Sequence, residues 1–315
     1  MLTRLLSGDF PRSRILTVLL VGILVALALA PFIFPGTKSL NVAAKVAVFV
    51  LLVASYDLLL GYTGIVSFAH TMFFGIGGYG VGIAMAKLGS GWGALALGIG
   101  AALAASLAIA LAIGLLSLRV RAIFFAMITL AVAAFFQILA SQLSAFTGGE
   151  DGLTFRLPEL LRDRLTAYYA VLGVALALFL VLLRVVNSPF GRVLLSIREN
   201  EFRSEALGYR IVTYRTVANC LAALGATAAG ILYSIWLRYT GPDTTLSFNI
   251  MIDILLMVVI FAALALAPFL FPGTRPLDVA AKVCVFVLLV ASYDLLLGYT
   301  GIVSFAHTMF FGIGE

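Results

Sequence analysis

Apolar positions run almost unbroken along this chain, and the polar ones gather in short islands. The apolar stretches are about 20 residues long, enough for each to cross the roughly 30 Å hydrocarbon core of a bilayer as a helix. They are continuous and rich in Leu, Ala, Val and Gly, whereas membrane barrels have short alternating segments. Spans are predicted at 15–34, 42–60, 71–88, 92–118, 122–145, 168–186, 216–237, 248–271 and 279–297. The expected fold is all-α, a polytopic transmembrane helical bundle of about 8–9 spans with a broken or re-entrant segment after the second.

The largest island is Asn187–Arg215, NSPFGRVLLSIRENEFRSEALGYRIVTYR. Pro189 and Gly191 precede a predicted helix that Gly208 ends. A second interruption is Gly61–His70, GYTGIVSFAH, between two apolar spans. Interrupted helices expose backbone polar groups, which a membrane tolerates beside a cavity, so Tyr62, Gly64, Ser67 and His70 are candidate pathway residues. For His70 the alternative is a structural interfacial histidine. Thr129, Ala133, Gln137 and Ser141 form a four-residue-spaced stripe on the fifth helix, either facing another helix or lining the route through Thr129 and Gln137. Thr147–Gly152 (TGGEDG) opens an external loop, followed by a short amphipathic piece at Leu157–Leu165. Gly148, Gly149, Glu150 and Asp151 either meet a solute-binding protein or form a plain turn. Rows of small residues, Gly98/Ala102/Ser106/Ala110/Gly114, Gly78/Gly82/Ala86 and Ala222/Ala226/Gly230, predict close helix contact.

Composition narrows the function. The chain is 63% hydrophobic and 11% charged, so it is an integral membrane protein rather than a soluble domain. The net charge of +6 does not point to nucleic acid, because the Arg residues lie at span ends and not in a patch interleaved with aromatics. They report orientation instead. With a cytoplasmic N-terminus, eleven Arg from Arg4 to Arg215 fall in cytoplasmic segments, against six Lys or Arg from Lys38 to Arg238 outside. That orientation puts the 187–215 island in the cytoplasm. The run Ile15–Phe34 is too long for a signal-peptide core, and Pro31 lacks a small-x-small context, so a retained first span is expected. Cys220 and Cys284 both lie in apolar runs and the chain has two His, so neither a disulfide framework nor a metal site is expected. No cofactor and no catalytic residue is predicted. G-x-x-x-x-G-K-[ST], H-E-x-x-H and G-x-S-x-G are absent from the sequence, and Ser67 and His70 do not suggest a nucleophile–base pair.

Ala26–Gly77 recurs at Ala263–Gly314 with 47 of 52 positions identical. The five differences are Ile33/Leu270, Lys38/Arg275, Ser39/Pro276, Asn41/Asp278 and Ala47/Cys284. Recent recombination or deliberate construction fits better than an ancient duplication. The second copy would be inverted in the membrane relative to the first, since eight predicted spans precede its loop. Phe261–Glu315 is therefore not expected to do the work of its counterpart. Domains are read as a transmembrane domain at 1–260 and a duplicated segment at 261–315 resembling 24–78.

Ser55–Gly80 (SYDLLLGYTGIVSFAHTMFFGIGGYG), Phe146–Leu153 (FTGGEDGL) and Ser188–Tyr209 (SPFGRVLLSIRENEFRSEALGY) together resemble the LivM-like permeases of branched-chain amino-acid ABC importers. Ile254–Ile260 (ILLMVVI) resembles their late span. The likeness covers roughly residues 10–260. Such permeases continue with a Gly-rich stretch, whereas here Phe261 begins the repeat. The resemblance implies a multi-pass subunit of the bacterial cytoplasmic (inner) membrane, partnered by ABC ATPase subunits, a second LivH-like permease and a periplasmic or lipid-anchored solute-binding protein, within the lipid bilayer. It implies ATPase coupling through Arg198, Glu199, Glu201, Arg203, Glu205, Ala206 and Gly208, the last three resembling the importer docking signature E-A-x-G. The implied solute is a branched-chain amino acid, with urea or short amides as alternatives. An ion-coupled secondary transporter and a non-functional recombinant or designed derivative remain the other readings. Asp57 and Asp253 lie near opposite span ends, so no clear midplane relay supports proton coupling.

Overall fold

The computed structural model describes residues 25, 27–32, 37–117 and 122–258. The chain divides into Met1–Leu255 and Leu256–Glu315, and the first unit is described below. Predicted spans 15–34, 248–271 and 279–297 and the second copy of the repeat lie wholly or partly outside the described residues.

Among the described residues, six helices are long and apolar enough to cross a membrane. They are α1 (Thr37–Thr63), α2 (His70–Leu88), α3 (Trp92–Ser117), α4 (Ala122–Gln142), α5 (Arg164–Val186) and α8 (Ile211–Leu237). Two short helices, α6 (Pro189–Glu199) and α7 (Glu201–Ala206), fill the island between α5 and α8. The chain is thus a polytopic helical bundle. α5 starts where Asp163 accepts hydrogen bonds from the Thr166 backbone N–H at 3.1 Å and hydroxyl at 2.9 Å. Those bonds hold the Asp163 carboxyl below its ordinary range. The amphipathic piece expected at Leu157–Leu165 is instead a single 3-10 turn, Glu159–Leu161, leading into α5.

α2 and α8 are the most buried of the six, and α4 and α5 the least. Close glycine contacts account for this, Gly230 from a predicted row and Gly77 from outside any of them. Without a side chain, Gly77 lets the Thr227 carbonyl of α8 approach α2, and Gly230 does the same for the Phe74 carbonyl. The row on α3 changes partner along its length. Gly98 and Ala102 meet Gly80 and Ala84 of α2. Further along, Ser106 accepts a hydrogen bond from Thr227 at 2.6 Å, the Ala110 carbonyl accepts one from Asn219 Nδ2 at 2.9 Å, and Gly114 faces Thr216. Small residues bring backbones close and polar ones then bond across, as expected where lipid supplies no hydrophobic drive between helices.

At the end of α8 the chain folds back over this core. Arg238 adopts a left-handed conformation (φ 58°) and donates to the Leu161 and Arg162 carbonyls at 3.2 and 2.7 Å. β1 (Leu153–Thr154) and β2 (Tyr239–Thr240) pair antiparallel, Leu153 opposite Thr240. Thr240 donates to Ser234 Oγ at 2.9 Å and lies 3.3 Å from the Gly78 carbonyl.

Candidate functional site

The island does not hang free. The inner face of α6 buries Gly191, Leu194 and Ile197. Leu194 forms one cluster with Leu58 and Leu59 of α1 and Ala218 and Ala222 of α8, flanked by Tyr62, Phe190 and Tyr214. The Phe190 and Tyr214 rings stack with centroids 5.7 Å apart. Such an apolar stripe fixes a short helix that propensity alone would leave marginal.

The single helix predicted between Pro189 and Gly208 is two helices. Asn200, at φ −155° and ψ 103°, cannot continue α6, and its Oδ1 accepts the Arg203 backbone N–H at 2.9 Å to start α7. α7 ends in a Schellman turn at Gly208, φ +91°, with Gly208 N–H donating to the Glu205 carbonyl and Tyr209 N–H to the Ser204 carbonyl. Within α7 Ser204 is buried, while Glu201, Phe202, Arg203, Glu205 and Ala206 are exposed, as are Leu207 and Gly208 after it. α7 is therefore a protruding knob. Glu201 turns back to pair bidentately with Arg215 at 2.8 and 3.3 Å. Arg198 is exposed like Glu199, and its Nη1 donates to the Gly61 carbonyl.

The predicted interruption falls between α1 and α2. Residues 64–67 are non-helical and 68–69 form a turn. His70 is fully buried, Nε2 lies 3.2 Å from Ser55 Oγ, and its ring meets Tyr56 edge-on at 5.0 Å. Ser55 lies eight residues before the end of α1, which corresponds to about 12 Å of helix rise. The chain thus doubles back along α1 before α2 begins. Ser67 is buried beside this segment and Gly64 is exposed at its start with φ +70°. Tyr62 packs toward the α6 cluster. Of the stripe on α4, Thr129 is buried and accepts the Phe68 backbone N–H at 3.0 Å. Gln137 is half-buried, and its carbonyl accepts from Ser141 Oγ within the same helix. Thr129→Val is expected to orphan the Phe68 N–H at about 1–3 kcal/mol. A lowered thermal midpoint in detergent, with a nearly unchanged Thr129→Ser variant as control, would check it.

On the opposite side of the bundle, Gly148 and Gly149 take positive φ and shape the turn, while Glu150 and Asp151 are exposed. Tyr239 donates to the Asp151 carbonyl at 3.0 Å, tying this loop to β2. The described residues hold no cluster of three or more His, Cys, Asp or Glu able to bind a metal.

The sequence profile of a family described as "Branched-chain amino acid transport system / permease component" matches residues 38–269. The chain belongs to this family. A "Probable branched-chain amino acid transport permease protein LivM" of Methanocaldococcus jannaschii is 37% identical over 68 residues, covering 22% of this chain and 20% of that relative. The match thus spans about a fifth of the relative's length. No solved structure matches the chain.

Several residues that shape this permease escape sequence reasoning. Phe202 and Leu207 are 86% and 68% exposed, side by side with the charged positions singled out above. Ser55 and Tyr56 surround His70, and Asn219 bonds α8 to α3. A lone amide inside an apolar run was the available signal for Asn219.

Proposed function

We propose that this chain is the transmembrane permease subunit of an ATP-driven importer, coupled through residues 187–215 to a separate ATPase. The supporting observation is the knob at α7, where Phe202 and Leu207 stand exposed among charges on a loop rich in Arg and Glu. Phe202 and Leu207, five positions apart on this charged segment, are apolar surface that a protein partner would cover. Glu199, Glu205 and Arg203 supply the rim charges, and Gly208 fixes the exit of the knob.

The family supports a branched-chain amino acid or a related small polar solute. A second permease of the same kind and a periplasmic or lipid-anchored binding protein complete the assembly, with Glu150 and Asp151 as the exposed external contacts and Gly148 and Gly149 shaping them. The membrane is the cytoplasmic one, with the N-terminus and α6–α7 inside. Residues 64–69 then form a re-entrant segment, and Ser67, His70, Thr129 and Gln137 border the route. The transport function belongs to residues 1–260, not to the repeat.

The test is co-reconstitution in liposomes with the ATPases, second permease and binding protein. Solute-stimulated ATP hydrolysis with uptake is expected. Uptake driven by an ion gradient without ATPase would overturn the reading in favour of a secondary transporter.

A further inference from the structure

Arg198 departs from the role that its place on a charged helix suggests. Its guanidinium reaches across to the last turns of α1 and donates to the Gly61 carbonyl. Its stem lies against Gly64: a Cβ built on Gly64 would stand 3.2 Å from Arg198 Cγ and 3.8 Å from Cδ. Asp57, one turn before Gly61, folds its carboxylate over the bare face of that glycine, within electrostatic reach of Arg198. One side chain of α6 therefore touches the last turn of α1 and the first residue of the break.

We propose that Arg198 is the positioning residue that links movement of α6 to the helix break at 64–69, a role that rests on the docking reading of α6–α7. Three physical features favour it over a merely solvated arginine. The end of α1 presents carbonyls without helical partners and a partial negative charge, which a guanidinium satisfies. Asp57 adds a full negative charge at the same place. Gly64 combines a left-handed φ with the absence of a side chain, which leaves room for the Arg198 stem beside it. Leu194, four residues earlier, anchors α6 to Leu58 and Leu59. Displacing α6 must then either carry the end of α1 along or break the Arg198 contact. The break leads directly into Ser67 and His70, so the contact sits where a cytoplasmic push would reach the buried polar segment.

The experiment uses the full assembly in liposomes, with the intact chain, Arg198→Ala, Arg198→Lys and the charge exchange Asp57→Arg/Arg198→Asp. ATPase co-purification is expected to be unchanged in Arg198→Ala, while solute taken up per ATP hydrolysed falls about tenfold. Arg198→Lys keeps the charge and is expected to restore part of that ratio, as is the charge exchange. Amide exchange over residues 61–66 in Arg198→Ala is expected to quicken, which a residue acting only on the ATPase would not produce. An unchanged uptake-to-hydrolysis ratio would overturn the proposal. Loss of co-purification in Arg198→Ala would overturn it differently, making Arg198 a docking residue. If the intact chain recruits no ATPase, the docking reading itself fails and this role with it.

Discussion

Phe202→Asp is expected to weaken ATPase binding about 30-fold while leaving the membrane bundle intact. The magnitude follows from the side chain. Fully burying a Phe contributes about 2 kcal/mol, and each 1.4 kcal/mol is tenfold in affinity. The selectivity follows from exposure: at 86% exposed, Phe202 contributes almost nothing to the isolated fold, so its loss falls on whatever covers it. Leu207→Asp is expected to act in the same direction. Glu205→Lys reverses a rim charge and is expected to abolish transport with normal insertion. Co-purification of the ATPase and solute uptake, read beside the thermal profile of the permease alone, check all three. A Phe202→Asp chain that binds its ATPase normally would show that the knob is not the docking element.

The bundle was legible because lipid imposes a simple rule: a helix that crosses it must be apolar for about 20 residues. The six predicted spans from 42 to 237 are helices within a few residues of the expected limits. The interruption after α1 was legible from Gly61 and Gly64, and close helix contact from the small-residue rows. What remained hidden was tertiary. Local sequence cannot say that the α3 row serves α2 at one end and α8 at the other. The split of the island helix turns on Asn200, a favoured N-cap residue whose extended backbone shows only once its side chain caps α7. Arg198 reads from the sequence as a charge offered to a partner, and its contact with the Gly61 carbonyl, 137 residues away, shows only in the fold. Phe202 and Leu207 are hidden in the sequence for a different reason. In so greasy a chain two more apolar residues carry no signal, until the fold leaves them in the open.

The second large effect concerns the contact between α2 and α8. Gly77→Val is expected to abolish a monodisperse folded chain, and Gly230→Val to do the same. Each glycine faces backbone rather than a movable side chain: Gly77 lies against the Thr227 carbonyl and the Ile231 amide, Gly230 against the Phe74 carbonyl. Added methyl groups at a site lined by side chains cost about 1–3 kcal/mol, because rotamers can shift. Backbone within a helix has no such freedom, so here the helices themselves must separate. Separation would also strain the Thr227–Ser106 bond, which joins α8 to α3 beside Gly77. Interhelical bonds in membranes contribute about 0.6–2 kcal/mol each, so the losses reinforce one another. Gly173→Val is the control: it lies in α5, and a Cβ there meets nothing within 4 Å. Size-exclusion profiles after a heat challenge separate the cases. If Gly77→Val behaves like Gly173→Val, the backbones of α2 and α8 do not meet as described. If it fails while Gly173→Val persists, α2, α3 and α8 form a close-packed block unable to yield locally. Movement during transport is then left to more loosely held parts, among them the end of α1 and the 64–69 break.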